Sequence, residues 1–266
     1  MTGRRRERPS AAVVGAAAVA VVLMAAPLAG LLWRAPWSAL GDLLGDPVVR
    51  TALRLSVVTS VGATLLATTV GLPLAWVLAR VDFPGRRLVR AVALVPLVLP
   101  PVVGGVALLL AFGRRGLMGR ALDDWFGVRL PFSTAGAVVA GAFVAMPFLV
   151  LTAEAAFRNL DRRYEDAART LGAGRWTTFR RVTVPLTAPA LGAGAVLAWA
   201  RALGEFGATI TFAGNAPGRT TTVPIEVFLL LESGRVESAV ALSLVLLAVS
   251  VAVLVLLRDR WIGAAW

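Results

Sequence analysis

Six long apolar stretches alternate with short polar connections along the chain. They cover residues 9–33, 55–79, 91–113, 130–153, 182–200 and 238–257, and none of them contains a charged side chain. A helix needs about 20 apolar residues to cross the hydrocarbon core of a bilayer. The pattern therefore predicts an all-α integral membrane protein with about six transmembrane helices, forming a single transmembrane domain over residues 1–266.

Composition supports a membrane location and excludes several kinds of chemistry. The 266 residues are 58% hydrophobic with a mean hydropathy of +0.79, well above an average soluble domain. All 27 basic residues are arginine, and lysine, histidine and cysteine are absent. A phosphate-binding P-loop needs lysine, and Ser-His-Asp, Cys-His and His-based zinc sites need the other two residue types. We therefore expect no ATPase site, no metal site and no bound cofactor on this chain.

The distribution of arginine predicts the orientation of the helices. With the amino terminus in the cytoplasm, 17 arginines fall on the inner side, eight on the outer side and two at helix ends. Basic residues concentrate in cytoplasmic loops of membrane proteins, so this orientation is favoured. The arginines follow the loops and not one basic face, which argues against a nucleic-acid partner. The first apolar run exceeds the roughly 7–15 residues of a leader peptide, so an uncleaved, multi-pass arrangement is predicted.

The most polar stretch, residues 160–181, predicts a short helix–turn–helix on the cytoplasmic side. Glycines 172 and 174 mark the turn, because glycine adopts left-handed dihedral angles at little cost. Apolar residues recur at steps of three and four on the first helix: Leu160, Tyr164, Ala167, Ala168 and Leu171. This stripe predicts a helix that packs against a partner. The alternative is an amphipathic loop that contacts only lipid headgroups.

The spacing of this stretch resembles the "EAA" cytoplasmic loop of ABC importer permeases. An acidic residue and two alanines at 166–168 are followed by Gly172 and by a hydrophobic-x-hydrophobic-Pro ending at Pro185. Asp166 stands where that family usually has glutamate. The resemblance implies that the loop couples the membrane helices to a cytoplasmic ATPase through Glu165, Asp166, Ala167, Ala168, Arg169, Gly172, Ala173, Arg175 and Pro185.

The third and fifth apolar stretches contain candidates for a transport pathway. Proline removes a backbone donor, so Pro100 and Pro101, followed by Gly104, predict a kink or break near the middle of the membrane. An ordinary buried kink is the alternative. Near the outer end of the fifth stretch, Arg201 and Glu205 are four residues apart and share a helix face. The predicted pathway or gate residues are Pro100, Pro101, Gly104, Arg201, Glu205, Thr209, Thr211 and Asn215.

The Arg201–Glu205 pair also has a purely structural interpretation. It can neutralise itself and cap a helix near the membrane interface without contacting a substrate. Thr209, Thr211 and Asn215 then supply uncharged hydrogen-bonding groups beside it. The sequence leaves both interpretations open.

Residues 48–257 resemble the permease subunits of molybdate ABC transporters, with the helix at 9–33 as an addition. The resemblance rests on segments 100–104, 113–116, 124–127, 167–176 and 204–212. It implies a homodimeric permease in the cell membrane, two cytoplasmic ATPase subunits that bind ATP and magnesium, and an extracytoplasmic molybdate-binding protein. Sulfate and tungstate permeases are close alternatives. An autonomous channel or secondary transporter is another, and an intramembrane hydrolase is disfavoured by the missing histidine and cysteine.

Overall fold

The computed structural model describes residues 10–257, and every regular element in that range is helical. The helices are α1 (Ala11–Trp33), α2 (Leu40–Gly45), α3 (Pro47–Arg80), α4 (Arg86–Val98), α5 (Pro101–Phe112), α6 (Gly119–Phe126), α7 (Thr134–Asn159), α8 (Arg162–Thr170), α9 (Arg175–Thr178), a π-helical turn (Phe179–Thr183), α10 (Val184–Leu203), α11 (Gly207–Phe212), α12 (Val223–Glu232) and α13 (Val236–Leu257). The predicted all-α membrane fold is confirmed. The arginines at positions 4, 5, 6, 8, 258 and 260 lie outside the described residues.

Five helical stretches in residues 10–257 are long and apolar enough to cross a membrane. They are Ala11–Trp33, Pro47–Arg80, Thr134–Asn159, Arg175–Leu203 and Val236–Val253. The remaining predicted span, residues 91–113, is divided between α4 and α5. The predicted break in the third apolar stretch is therefore confirmed, and that stretch is not a single helix.

Proline chemistry explains where the third stretch breaks. Pro100 and Pro101 carry no backbone N–H, and a proline disfavours the helical region for the residue before it. Leu99 is accordingly extended, with ψ 131°, and α5 restarts with Pro101 at its first position. A first-position proline is well tolerated because its missing N–H would have no partner inside the helix.

The centre of the fold is the contact between α3, α7 and α10. Its buried cluster consists of Ala63, Ala67, Ala142, Ala145, Leu149, Ala198 and Ala202. Small side chains let the helix backbones approach closely in a membrane, where the hydrophobic effect does not drive helix association. A Cβ placed on Gly141 would lie 3.1 Å from the Cβ of Ala63, which shows how close α3 and α7 are.

The stretch between the fifth and sixth spans is more ordered than a polar loop. It contains α11 and α12, and Val223 and Ile225 at the start of α12 are fully buried. The backbone N–H of Val223 donates to the Ser56 hydroxyl of α3 at 2.7 Å. Two short apolar segments of this stretch therefore fold back onto the longer helices.

The amino-terminal helix α1 stands apart from this core. It is apolar along its whole length, contacts α13, and buries none of its residues within the described part of the chain. Its side chains have the composition expected of a helix that faces lipid.

Candidate coupling loop and substrate pathway

The predicted helix–turn–helix is present as α8, a glycine turn and α9. Asp161 caps the start of α8, where its Oδ1 accepts from the N–H of Arg163 at 3.0 Å. Gly172 ends the helix with φ +84°, and the N–H of Ala173 donates back to the carbonyl of Ala168 at 3.0 Å. This is the left-handed helix ending that glycine favours. The predicted turn at residues 172–174 is confirmed.

Part of the apolar stripe of α8 is exposed, whereas Leu160 and Ala168 are half-buried. Tyr164 is 56% exposed and Leu171 is 89% exposed, and Trp176 on α9 is 71% exposed beside them. Asp166 is also exposed and lies 3.3 Å from Arg169, a surface pair of small energetic weight. The predicted coupling residues that are exposed are Asp166, Ala167, Arg169, Gly172, Arg175 and Pro185, whereas Ala168 and Ala173 are half-buried.

Glu165 is the exception, because it is the one buried residue of α8. Its Oε1 accepts from the Thr183 hydroxyl at 2.7 Å and lies 3.4 Å from Nη2 of Arg80. The same Arg80 nitrogen donates to the carbonyl of Leu160 at 3.4 Å. Sequence analysis placed Glu165 on the polar face of α8 and grouped it with the partner-contacting residues. The structure instead turns its carboxylate toward the membrane helices.

A cavity of about 670 Å³ lies between α8, α9 and the carboxyl-terminal end of α3. Its basic lining residues are Arg80, Arg162, Arg169 and Arg175. Trp76 and Phe179 also line it, with ring centroids 6.1 Å apart in an edge-on arrangement, and Trp176 stacks on Phe179 at 5.8 Å. The loop therefore presents a partly basic concave surface beside its apolar stripe.

The second predicted site is assembled where the broken helices meet. A Cβ on Gly207, the first residue of α11, would lie 2.9 Å from Cβ of Pro101, the first residue of α5. A Cβ on Gly105 would lie 2.6 Å from Cβ of Thr211. The fold therefore brings the break before α5 next to the break between α10 and α11. Gly104 points elsewhere, toward the Phe143 ring of α7.

The polar residues near this junction are bonded within the chain. Arg201 Nη1 lies 2.6 Å from Oε2 of Glu205, which confirms that the two charges pair. The Glu205 side chain is 2% exposed, and its Oε1 accepts from the N–H of Ala208 at 2.7 Å, so it caps α11. The Thr211 hydroxyl donates to the carbonyl of Gly207 at 2.8 Å. This geometry favours the structural interpretation of the pair.

Two further predicted pathway residues lie around this junction in different settings. Thr209 is buried, whereas Asn215 is exposed and its Oδ1 accepts from the Thr221 hydroxyl at 2.7 Å. Asn215 therefore stabilises the turn that follows α11. Contact of any of these residues with a substrate stays a prediction.

Sequence analysis missed an ion-pair cluster at the carboxyl-terminal end of α7. Glu154 is 4% exposed and pairs with both Arg90 of α4 and Arg158 of α7. The carboxylate therefore ties α4, the first part of the broken third span, to α7. The i, i+4 spacing of Glu154 and Arg158 was a visible signal, but nothing local indicates the partner on α4.

Comparison with known proteins identifies the family. The family profile described as "Binding-protein-dependent transport system inner membrane component" matches residues 71–264. The chain belongs to this family. Curated proteins from three organisms also align over most of the length of this chain.

Two of those relatives are molybdenum transport system permease proteins ModB. The Mycobacterium tuberculosis protein is 47% identical over 230 residues, which is 86% of each chain. The Escherichia coli K12 protein is 45% identical over 221 residues, covering 83% of this chain and 96% of the relative. The third, a probable sulfate transport system permease protein cysT of Marchantia polymorpha, is 34% identical and covers 86% of this chain and 80% of its own.

Solved structures give the same fold at low sequence identity. A bacterial alginate ABC transporter, in complex with a periplasmic protein bound to alginate pentasaccharide, aligns with a TM-score of 0.75 and 16% identity, covering 93% of each chain. The MetNI methionine ABC transporter aligns with a TM-score of 0.58 and 17% identity, covering 82% of this chain and 95% of that one. At this identity the likeness concerns the fold alone, which is that of an ABC importer permease.

Proposed function

We propose that this inner membrane component is the membrane-spanning subunit of an ATP-driven oxyanion importer that carries molybdate. The observation that carries the proposal is the difference in identity, 45–47% to two molybdenum permeases against 34% to a probable sulfate permease. Tungstate has nearly the same shape and charge as molybdate, so it is the closest competing substrate.

The test is uptake by proteoliposomes that contain this chain and its cognate ATPase, supplied with the external binding protein. Labelled molybdate should enter with ATP inside, and a large excess of unlabelled sulfate should compete poorly. Tungstate competition measures how far the two metal oxyanions are distinguished. Preferred uptake of sulfate would contradict the assignment, and uptake without any ATPase would favour an autonomous channel or secondary transporter.

The exposed face of α8 supports a partnership with a cytoplasmic ATPase. An exposed apolar surface in water is unfavourable, and the exposed side chains of Tyr164, Leu171 and Trp176 provide such a surface on α8 and α9. In the proposed assembly two copies of this chain form the pathway, and each α8 binds one ATPase subunit that holds ATP and magnesium. Closure of the ATPases then draws the two α8 helices together and favours one of two membrane conformations.

The substrate pathway is proposed to lie between the two copies, beside the junction of α5 and α11. An oxyanion cannot cross hydrocarbon unaided, so polar groups must replace its water while binding it weakly enough for release. The exposed α5 residues next to this junction are Val102, Val103 and Val106. They provide an apolar face that a second copy can cover.

ATP hydrolysis is expected to require the partner subunit. The chain contains no lysine and therefore no P-loop. Purified alone in lipid, it should release no phosphate from ATP above a protein-free control, and activity should appear when the ATPase is added. Phosphate release that co-purifies with this chain in the absence of the ATPase would contradict this division of labour.

The proposed orientation places α8 in the cytoplasm and the turn after α11 outside, with the amino terminus in the cytoplasm. The cysteine-free sequence allows a direct test with single cysteines at Arg163 and Pro217, both of which are exposed. In intact cells an impermeant maleimide should label Pro217→Cys, whereas Arg163→Cys should react only after the membrane is opened. Labelling of Arg163→Cys in intact cells would reverse the topology.

A further inference from the structure

We propose that Glu165 is a positioning residue that transmits movement of α8 to the membrane helices through its bonds to Arg80 and Thr183. The inference rests on the proposed function, since it concerns how the ATPase would drive this chain. The two neighbouring acidic residues then have different environments: Asp166 is exposed to solvent, whereas Glu165 is buried and bonds to the membrane helices.

The contacts of α8 within the described structure show why the Glu165 side chain can link this helix to the membrane helices. Glu165 is the one buried residue of the helix. Its carboxylate reaches two different membrane helices, because Arg80 is the last residue of α3 and Thr183 is the last residue of the π-helical turn that leads into α10. A displacement of α8 is therefore felt directly by both α3 and α10.

The π-helical turn places the hydroxyl of Thr183 against this carboxylate. Residues Phe179–Thr183 form an extra-wide turn, which is rare and occurs frequently at functional sites. Thr183 is 1% exposed, and its carbonyl accepts from the Thr187 hydroxyl at 2.7 Å, which fixes it to the first turn of α10. The backbone of Thr183 is thus joined to α10, so its hydroxyl and the bond to Glu165 are carried along when that helix moves.

Breaking these bonds is costly, so the three elements move together. A buried carboxylate that loses its partners retains the full penalty of desolvation. When an ATPase pulls on α8, the lower-energy response is for the inner ends of α3 and α10 to follow. Helix α10 ends at Leu203, directly before the break that leads to α11 and its contact with α5. The chain of contacts therefore runs from the partner surface to the proposed pathway.

The deciding variant is Thr183→Val, which removes one hydroxyl and keeps the shape of the side chain. The partner-facing surface of α8 is unchanged, so binding of the ATPase should stay near the wild-type level. The ratio of molybdate taken up to ATP hydrolysed should fall about tenfold. Loss of a hydrogen bond to a charged group changes an equilibrium constant by about this factor. Thr183→Ser restores the hydroxyl and should restore the ratio.

Thr178→Val is the matched control. Thr178 is also a buried threonine of this loop, but its hydroxyl donates to the carbonyl of Gly174 within the loop itself, at 3.1 Å. The Thr178→Val protein should take up nearly as much molybdate per ATP hydrolysed as the wild type. Glu165→Gln is the second variant; it keeps the acceptor for Thr183 but loses the charge that faces Arg80, so an intermediate ratio is expected.

Three results would overturn the linkage. The first is a wild-type ratio of uptake to ATP hydrolysis in Thr183→Val. The second is weaker ATPase binding by Thr183→Val with an unchanged ratio. The third is a Thr183→Ser protein whose ratio is as low as that of Thr183→Val. If Thr183→Val does not reach the membrane, a wild-type ratio of uptake to ATP hydrolysis in Glu165→Gln would overturn the linkage instead. The proposed function fails separately: a wild-type assembly that takes up none of molybdate, tungstate or sulfate would refute it.

Discussion

Replacing Gly172 by valine is expected to uncouple ATP hydrolysis from uptake while the membrane helices stay folded. Gly172 has φ +84°, and a β-branched residue there costs on the order of 1–2 kcal/mol in backbone strain. A Cβ at this position meets no atom within 4 Å, so strain and not a clash is the cause. Relief of the strain redirects α9 relative to α8 and misaligns the partner-facing surface.

Gly234→Val is the matched control for this effect. Gly234 has φ +75°, no atom within 4 Å of an added Cβ, and the same pattern of hydrogen bonds at the end of α12. Both variants should reach the membrane in similar amounts. Uptake in proteoliposomes and pull-down of the ATPase should be impaired in Gly172→Val and much less in Gly234→Val. Equal behaviour of the two variants would show that α8 and its turn are not the transmission element.

Replacing Gly105 by alanine is expected to disrupt the junction of α5 and α11 and to abolish most uptake. The added Cβ would lie 2.6 Å from Cβ of Thr211 and 3.0 Å from the carbonyl oxygen of Ala208. Neither atom is the flexible end of a side chain, so the two helices must separate. Overpacking of this kind costs about 1–3 kcal/mol. Thermal unfolding of the purified protein and uptake should both report the change.

Gly204→Ala is the control at the same junction. Gly204 lies in the break after α10, has a negative φ of −87°, and an added Cβ would approach only the carbonyl of Ala200, at 3.8 Å. This variant should have the same unfolding temperature and the same uptake rate as the wild type. A Gly105→Ala protein with unchanged unfolding temperature and uptake would show that the close contact between α5 and α11 is dispensable.

Features governed by neighbours in sequence were predictable, and those governed by distant residues were not. The adjacent Pro100 and Pro101 interrupt a helix and Gly172 ends one, so both positions followed from local rules, although single prolines such as Pro73 and Pro147 lie inside helices. The burial of Glu165 depends on Arg80, 85 residues earlier in the chain. The periodicity of α8 assigns Glu165 to its polar side. It does not indicate which of the polar residues is buried against other helices.

The same distinction applies to the outer side of the protein. The Arg201–Glu205 pair follows from a spacing of four residues, and its geometry agrees with that expectation. The position of α11 depends instead on a glycine contact with α5 about a hundred residues earlier, which no local pattern shows. The charge pair was therefore predicted correctly, whereas the element it caps was not.

The alanine-rich contact between α3, α7 and α10 determines what kind of movement the interior allows. Leu149 is the one large side chain among its fully buried members, and Leu66, Leu72 and Met146 pack against them from the margin, so the centre of the contact has few side chains that interlock. Helices with such surfaces slide along one another in a shear motion while they remain packed, and few side chains need to change rotamer. In the proposed transport cycle we therefore expect switching to proceed by small axial shifts of whole helices, without opening a cavity in the core.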